Sequence, residues 1–142
     1  MQPCYPNEGT FEITDPQGLS EFNIGDEYNF AFTYDDQATD TEPSTGAGRF
    51  NTAITAFTLS AVPGNTPGSW DPSGGTFTLP GPIQTRAAGP GFRLQPPGTG
   101  FPPFGGQPFL SLDILFVGGF TVTDTGSGQT LTAQIGGGSP VI

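Results

Sequence analysis

Apolar residues along this chain recur mostly at every second position. In EYNFAFTYD, Tyr28, Phe30, Phe32 and Tyr34 share one face, with Asn29, Ala31 and Thr33 on the other. Successive side chains of an extended strand point to opposite faces, so this spacing predicts a half-buried strand. TAITAFTLSAV alternates in the same way, with Thr55, Phe57, Leu59 and Ala61 on one face and Ile54, Ala56, Thr58 and Ser60 on the other. GTFTLP, GFRLQ, GFTVTD and QTLTAQI give shorter alternations, and TFEIT a weaker one near the start. FLSLDILFV is the most apolar run. It sets Leu110, Leu112, Ile114 and Phe116 against Phe109, Leu115 and Val117, with Asp113 interrupting the second side.

About eight short strands separated by Gly, Pro, Asn and Asp clusters predict an all-β fold, a single antiparallel β-sandwich of jelly-roll or Ig-like type. VGG before Phe120 reads as a tight turn pairing the strands on either side, and DTGSGQ as the next hairpin turn. No window carries helical spacing beyond two turns, and PQGLSEF could form one turn at most. The expected domain covers residues 1–142, with residues 1–10 as an N-terminal arm and 136–142 as a flexible C-terminal linker.

Composition sharpens this picture. Hydrophobic residues are 33% of the chain, and 13 phenylalanines carry much of the apolar area. The 23 glycines and 16 prolines raise the alternative of a low-complexity chain. Charged residues at only 11%, together with the clean alternation, argue against that. The net charge of -10, with no lysine and no histidine, disfavours nucleic acid and anionic membranes as partners. Cations and neutral polymers such as polysaccharides stay open. No apolar run is long enough for a membrane-spanning helix, so no membrane insertion is expected from these residues. MQPCYPNEG shows no basic and apolar leader, which would suit a mature chain.

Candidate chemistry is sparse. Without histidine, and with one cysteine, the chain offers no zinc ligand set and no recognisable nucleophile motif, and it is expected not to be an enzyme. No cofactor is required. The loop DDQATDTE places Asp35, Asp36, Asp40 and Glu42 together, an oxygen-rich set that could hold Ca2+. The alternative is a solvated loop, with Asp35 or Asp36 capping the turn and Arg49 pairing with one acid. Asp113 should either lie exposed or pair with Arg86 or Arg93, because an unpaired buried charge is costly. Trp70, Phe101 and Phe104 could form a stacking platform for sugars, or Trp70 could close one end of the sandwich as a lid. Phe101 and Phe104 lie in a long Pro- and Gly-rich loop, residues 95–108. Cys4 has no partner in the chain and could form an intermolecular disulfide.

One stretch resembles a known class. Phe30, Phe32, Tyr34 and Asp35 are followed by an acidic loop, then by Gly48, Phe50, Ala53, Ile54, Phe57 and Leu59. This succession is similar to that of secreted bacterial PEP-CTERM-class proteins, which exosortases sort to the cell surface or matrix. The class carries a C-terminal Pro-Glu-Pro motif, a transmembrane helix and a basic end. These are absent from this sequence, which closes on the linker-like GGGSPVI. The resemblance implies a secreted, extracellular or cell-surface bacterial protein that associates with itself, with other matrix proteins or with polysaccharide, and it implies no catalytic residues. The expected function is a non-enzymatic structural or adhesive protein of a surface, filament or matrix. The alternative is a carbohydrate-binding module assisted by calcium.

Overall fold

A computed structural model describes residues 4–35, 37–41, 47–86, 92–115, 120–124 and 129–134. The fold is all-β, as the alternation predicts. Ten strands are present among these residues: β1 (Cys4–Glu12), β2 (Glu27–Asp35), β3 (Ala47–Ala61), β4 (Thr76–Phe77), β5 (Gly81–Arg86), β6 (Phe92–Leu94), β7 (Gly98–Thr99), β8 (Phe109–Leu115), β9 (Phe120–Asp124) and β10 (Gln129–Gln134). Eight form one sheet in the order β1-β2-β3-β5-β6-β8-β10-β9, and β4 pairs with β7 in a second, two-stranded sheet. Each adjacent pair of strands from β1 to β8 in the large sheet is antiparallel.

The large sheet curls around an aromatic interior, giving a sandwich-like arrangement. Tyr28 of β2 and Phe109 of β8 both pack on Trp70, with ring centroids 5.9 and 5.7 Å away, although β3, β5 and β6 lie between those two strands. Phe57 of β3 meets Phe77 of β4 at 4.7 Å, and Phe77 meets Phe101 at 4.8 Å. All four inward residues of β2 are buried, as are Phe57, Leu112 and Ile114. At ~25 cal/mol per Å2, burial of this many rings is the dominant favourable term in folding.

Glycine admits the rings at two close approaches. Gly9 faces Phe30 across the β1–β2 pair, and a Cβ there would stand 2.8 Å from the Phe30 ring. Gly75 backs directly onto the Phe101 ring, where any Cβ would overlap it.

Several features depart from the sequence expectations. First, the strand expected at TFEIT runs from Cys4 to Glu12, so the described part of the N-terminal arm is strand. Second, a bulge sits in β3: Thr33 pairs with Ala56, but Tyr34 pairs with Ile54. The extra residue, Thr55, is turned out, and Ile54 comes inside with Phe57 instead of sharing a face with Ala56. Third, the periodicity of β8 breaks after Phe109: Leu110 is 39% exposed, while Leu112 and Ile114 are enclosed. Fourth, β9 does not pair with β8. Instead β9 pairs antiparallel with β10, with residues 125–128 between them outside the described ones, and β10 takes the edge of β8, in parallel. The VGG turn residues 117–119 lie outside the described ones, as do residues 136–142.

The expected helical turn near Pro16 is a pair of bends, with Gln17 and Gly18 both at positive φ and Asp15 Oδ1 accepting the Gln17 N–H at 3.0 Å.

Candidate functional site

The acidic loop is bonded to its own backbone. Asp35 Oδ1 accepts the Gln37 N–H at 2.8 Å, closing a turn at the end of β2. Asp40 Oδ1 accepts the Arg49 N–H at 3.0 Å, and the Thr41 N–H returns to the Arg49 carbonyl at 2.8 Å. The loop is thereby laced to the start of β3. The arginine contributes its backbone, while its guanidinium Nε donates to Asn51 at 2.8 Å. Asp36 and Glu42 lie outside the described residues. Among the described residues no three acidic or sulfur-bearing side chains converge as a metal site would require.

Trp70, Phe101 and Phe104 do come together, as interior rather than surface. Their exposures are 3%, 9% and 0%. Trp70 stacks on Phe101 at 6.2 Å and takes Phe104 edge-on at 5.7 Å. Its indole N–H donates to the Pro102 carbonyl at 2.7 Å, its backbone N–H to the Glu21 carbonyl at 2.7 Å, and its own carbonyl accepts the Tyr28 hydroxyl at 2.7 Å. A sugar-stacking platform needs an open ring face, and none of the three has one. Within residues 95–108, Phe101 and Phe104 turn inward to complete the core, while Pro97, Pro103 and Pro108 stay exposed. Trp70 is a core residue, packed among the surrounding rings.

Asp113 is buried and paired with Arg93, whose Nε donates to its Oδ1 at 2.8 Å. The side chain of Arg86, the other proposed partner, lies outside the described ones. Cys4 stands opposite Asp35 in the β1–β2 register, and its side chain also lies outside the described ones.

A second buried acid was not singled out from the sequence. Asp26 accepts the Asn23 and Thr66 N–H groups at 3.1 and 3.2 Å and the Ser69 hydroxyl, so it ties the loop before β2 to the loop before Trp70. Burial pushes its carboxyl up, but the donors from Ser69, Thr66 and Asn23 outweigh that and hold it below the ordinary value. Burial, with the nearby charges of Asp26 and Asp71, raises the Tyr28 phenol well above its ordinary range. Asp26 and Tyr28 thus form a satisfied structural node behind the tryptophan.

Among the described residues, a concave surface lies on the outer side of β1, β2 and β3. Two adjoining basins, about 490 and 450 Å3, share Glu8, Ala31 and Thr58. Those three residues face one another across the strands, Glu8 opposite Ala31 and Ala31 opposite Thr58. One basin continues through Thr10, Asn29 and Ser60, which form the next row, and the other through Thr33 and Ala56. Thr10 donates to Asn29 Oδ1 at 2.6 Å, and the hydroxyls of Thr33 and Thr55 lie 2.9 Å apart. The β3 bulge is what brings Thr55 onto this face. The alternation puts Asn29, Ala31 and Thr33 on one face of a strand, and Ala56, Thr58 and Ser60 on one face of another together with Ile54, while Glu8 falls in the expected N-terminal arm. What it lacked was the register that lines them into rows.

Searches against known protein families, curated proteins and solved structures find no match to this chain.

Proposed function

We propose that this is a non-enzymatic structural or adhesive protein, secreted by a bacterium to a cell surface, filament or extracellular matrix, where it joins copies of itself or neighbouring proteins. One observation supports this most: the large sheet is open, and its first edge is the nine-residue strand β1. An edge strand carries a row of unpaired backbone donors and acceptors, and a strand from another chain can extend the sheet there. Pro6 lacks an N–H, and Glu8 and Glu12 are exposed along the same strand. Those features make the edge selective, because two copies of β1 side by side set acid near acid. Association should therefore strengthen as salt screens the carboxylates. The succession of aromatic strand, acidic loop and second strand that resembles PEP-CTERM-class proteins agrees with a surface location.

Sedimentation velocity over a wide concentration range, at low and high salt, tests this. Growth of the sedimenting species with concentration, larger at high salt, accompanied by new hydrogen-exchange protection of β1 amides, is the expected outcome. A monomer under every condition with β1 amides unchanged would overturn it.

A further inference from the structure

We infer that the trough on the outer face of β1, β2 and β3 binds a neutral polysaccharide chain. The inference rests on the matrix role proposed above and gives it a ligand class. With the Trp70 cluster enclosed, any sugar contact has to be made by other residues, and the trough has the chemistry for it.

Its floor is low because Ala31 and Ala56 carry only methyl groups. The three rows from Thr10 to Thr33 cover about 13 Å along the strands, the length of a short oligosaccharide. Around that floor stand groups that both donate and accept. Thr10 spends its hydroxyl hydrogen on Asn29 Oδ1, so the amide group of Asn29 keeps its N–H donors for a guest. Ser60 adds a hydroxyl, Thr58, whose hydroxyl donates to the Ala31 carbonyl at 3.5 Å, adds an acceptor, and Glu8 places another acceptor at the row where the two basins meet. Sugars present hydroxyls of both kinds and C–H faces, which the Ala31 and Ala56 methyl groups can meet.

Charge selects among polymers. No arginine lines the trough, its one ionised group is Glu8, and the whole chain carries -10, so anionic polymers are repelled. The groups are also pre-positioned. They project from three paired strands, so little ordering opposes binding.

The test uses the full chain and neutral hexasaccharides of glucose, mannose, galactose and xylose as probes, followed by amide chemical shifts. At least one should shift the amides of residues 8–10, 29–33 and 56–60, with little dependence on salt. Thr58→Arg fills the row shared by the two basins from an exposed position, and Asn29→Ala removes its donors. Each should weaken binding at least tenfold with the melting temperature unchanged, whereas Trp70→Phe should bind as the parent does. The inference is overturned if no hexasaccharide shifts these amides, if Thr58→Arg binds normally, or if the amides respond to protein concentration instead of sugar. Failure here with salt-dependent self-association intact would leave the matrix proposal standing. Sugar binding by a strict monomer would do the reverse.

Discussion

The two faces of the β1–β2–β3 ribbon share one backbone and are built on opposite rules. Inward, Phe11, Tyr28, Phe30, Phe32, Tyr34 and Phe57 form a continuous run of ring contacts, with Phe32 stacked on Phe57 at 5.9 Å directly across the β2–β3 pair. Outward, the same strands carry Glu8, Thr10, Asn29, Ala31, Thr33, Thr58 and Ser60. The inner face is chosen for volume, because a missing ring leaves a void that costs both transfer energy and contact. The outer face is chosen for smallness and hydrogen-bonding capacity, neither of which stabilises the fold much. Stability and recognition are thus separated by a single Cα–Cβ direction, and substitutions on the two faces should behave differently.

The largest expected effect is at the point where the loops close the inner face. Trp70→Ala should cost about 3–5 kcal/mol in a urea titration followed by circular dichroism. It removes the indole from between Phe22, Phe101, Phe104 and Phe109 and leaves the Pro102 carbonyl without its donor. Trp70→Phe, which keeps most of the volume, should cost distinctly less. A small loss for the alanine variant would mean that the curl of the sheet does not depend on this plug.

Next comes the buried ion pair. Arg93→Ala should cost about 1–3 kcal/mol, since it leaves Asp113 enclosed without the guanidinium. Arg93 is 34% exposed, which places the effect below that of a fully enclosed pair. Removing both partners, as Arg93→Ala with Asp113→Ala, should be less harmful than Arg93→Ala alone. An additive double variant would show that the pair does not interact in the folded state.

Asp26 supplies a pH-dependent effect. Its folded-state carboxyl lies below the unfolded value of 3.8, so the ionised form stabilises the fold at every pH above that value. The contribution disappears as pH falls through the lower, folded value. The stability gap between the parent and Asp26→Asn should therefore be full at about pH 6 and shrink below about pH 4. A gap independent of pH would mean that Ser69, Thr66 and Asn23 do not favour the charged form. The smallest effect belongs to the outer face: Thr58→Val and Ser60→Ala should change stability by about 0.5 kcal/mol or less.

The inner face was largely legible in the sequence, and the outer face was not. Aromatic residues at every second position of EYNFAFTYD can form only one buried row, and β2 follows that row from end to end. For Asp113 the sequence narrowed the choice to exposure or pairing with Arg86 or Arg93, and the structure takes the pair with Arg93. Strand β5 escaped notice because GPIQTR has one large apolar residue, Ile83. That side chain becomes core only through its places opposite Phe50 and Leu94. The β3 bulge and the parallel β8–β10 pair depend on which strand wins a shared edge, a competition among distant segments that local periodicity does not record. The trough was invisible for a related reason. Thr, Ser and Ala at alternate positions look like any solvated face until register sets Glu8, Ala31 and Thr58 in a row. The Pro- and Gly-rich loop misled in the other direction. Its aromatic residues seemed available to a ligand, but at this chain's modest hydrophobic content the core has first claim on them.

The single tryptophan gives the most direct measurement of the enclosed aromatic interior. With Trp70 held among the rings of Phe22, Tyr28, Phe101, Phe104 and Phe109, native emission should be blue-shifted and resist acrylamide quenching until the chain unfolds. Addition of a bound neutral oligosaccharide should leave both properties unchanged. Emission typical of a solvated indole in the native protein, or quenching that a sugar relieves, would contradict the separation of the two faces and return Trp70 to the surface.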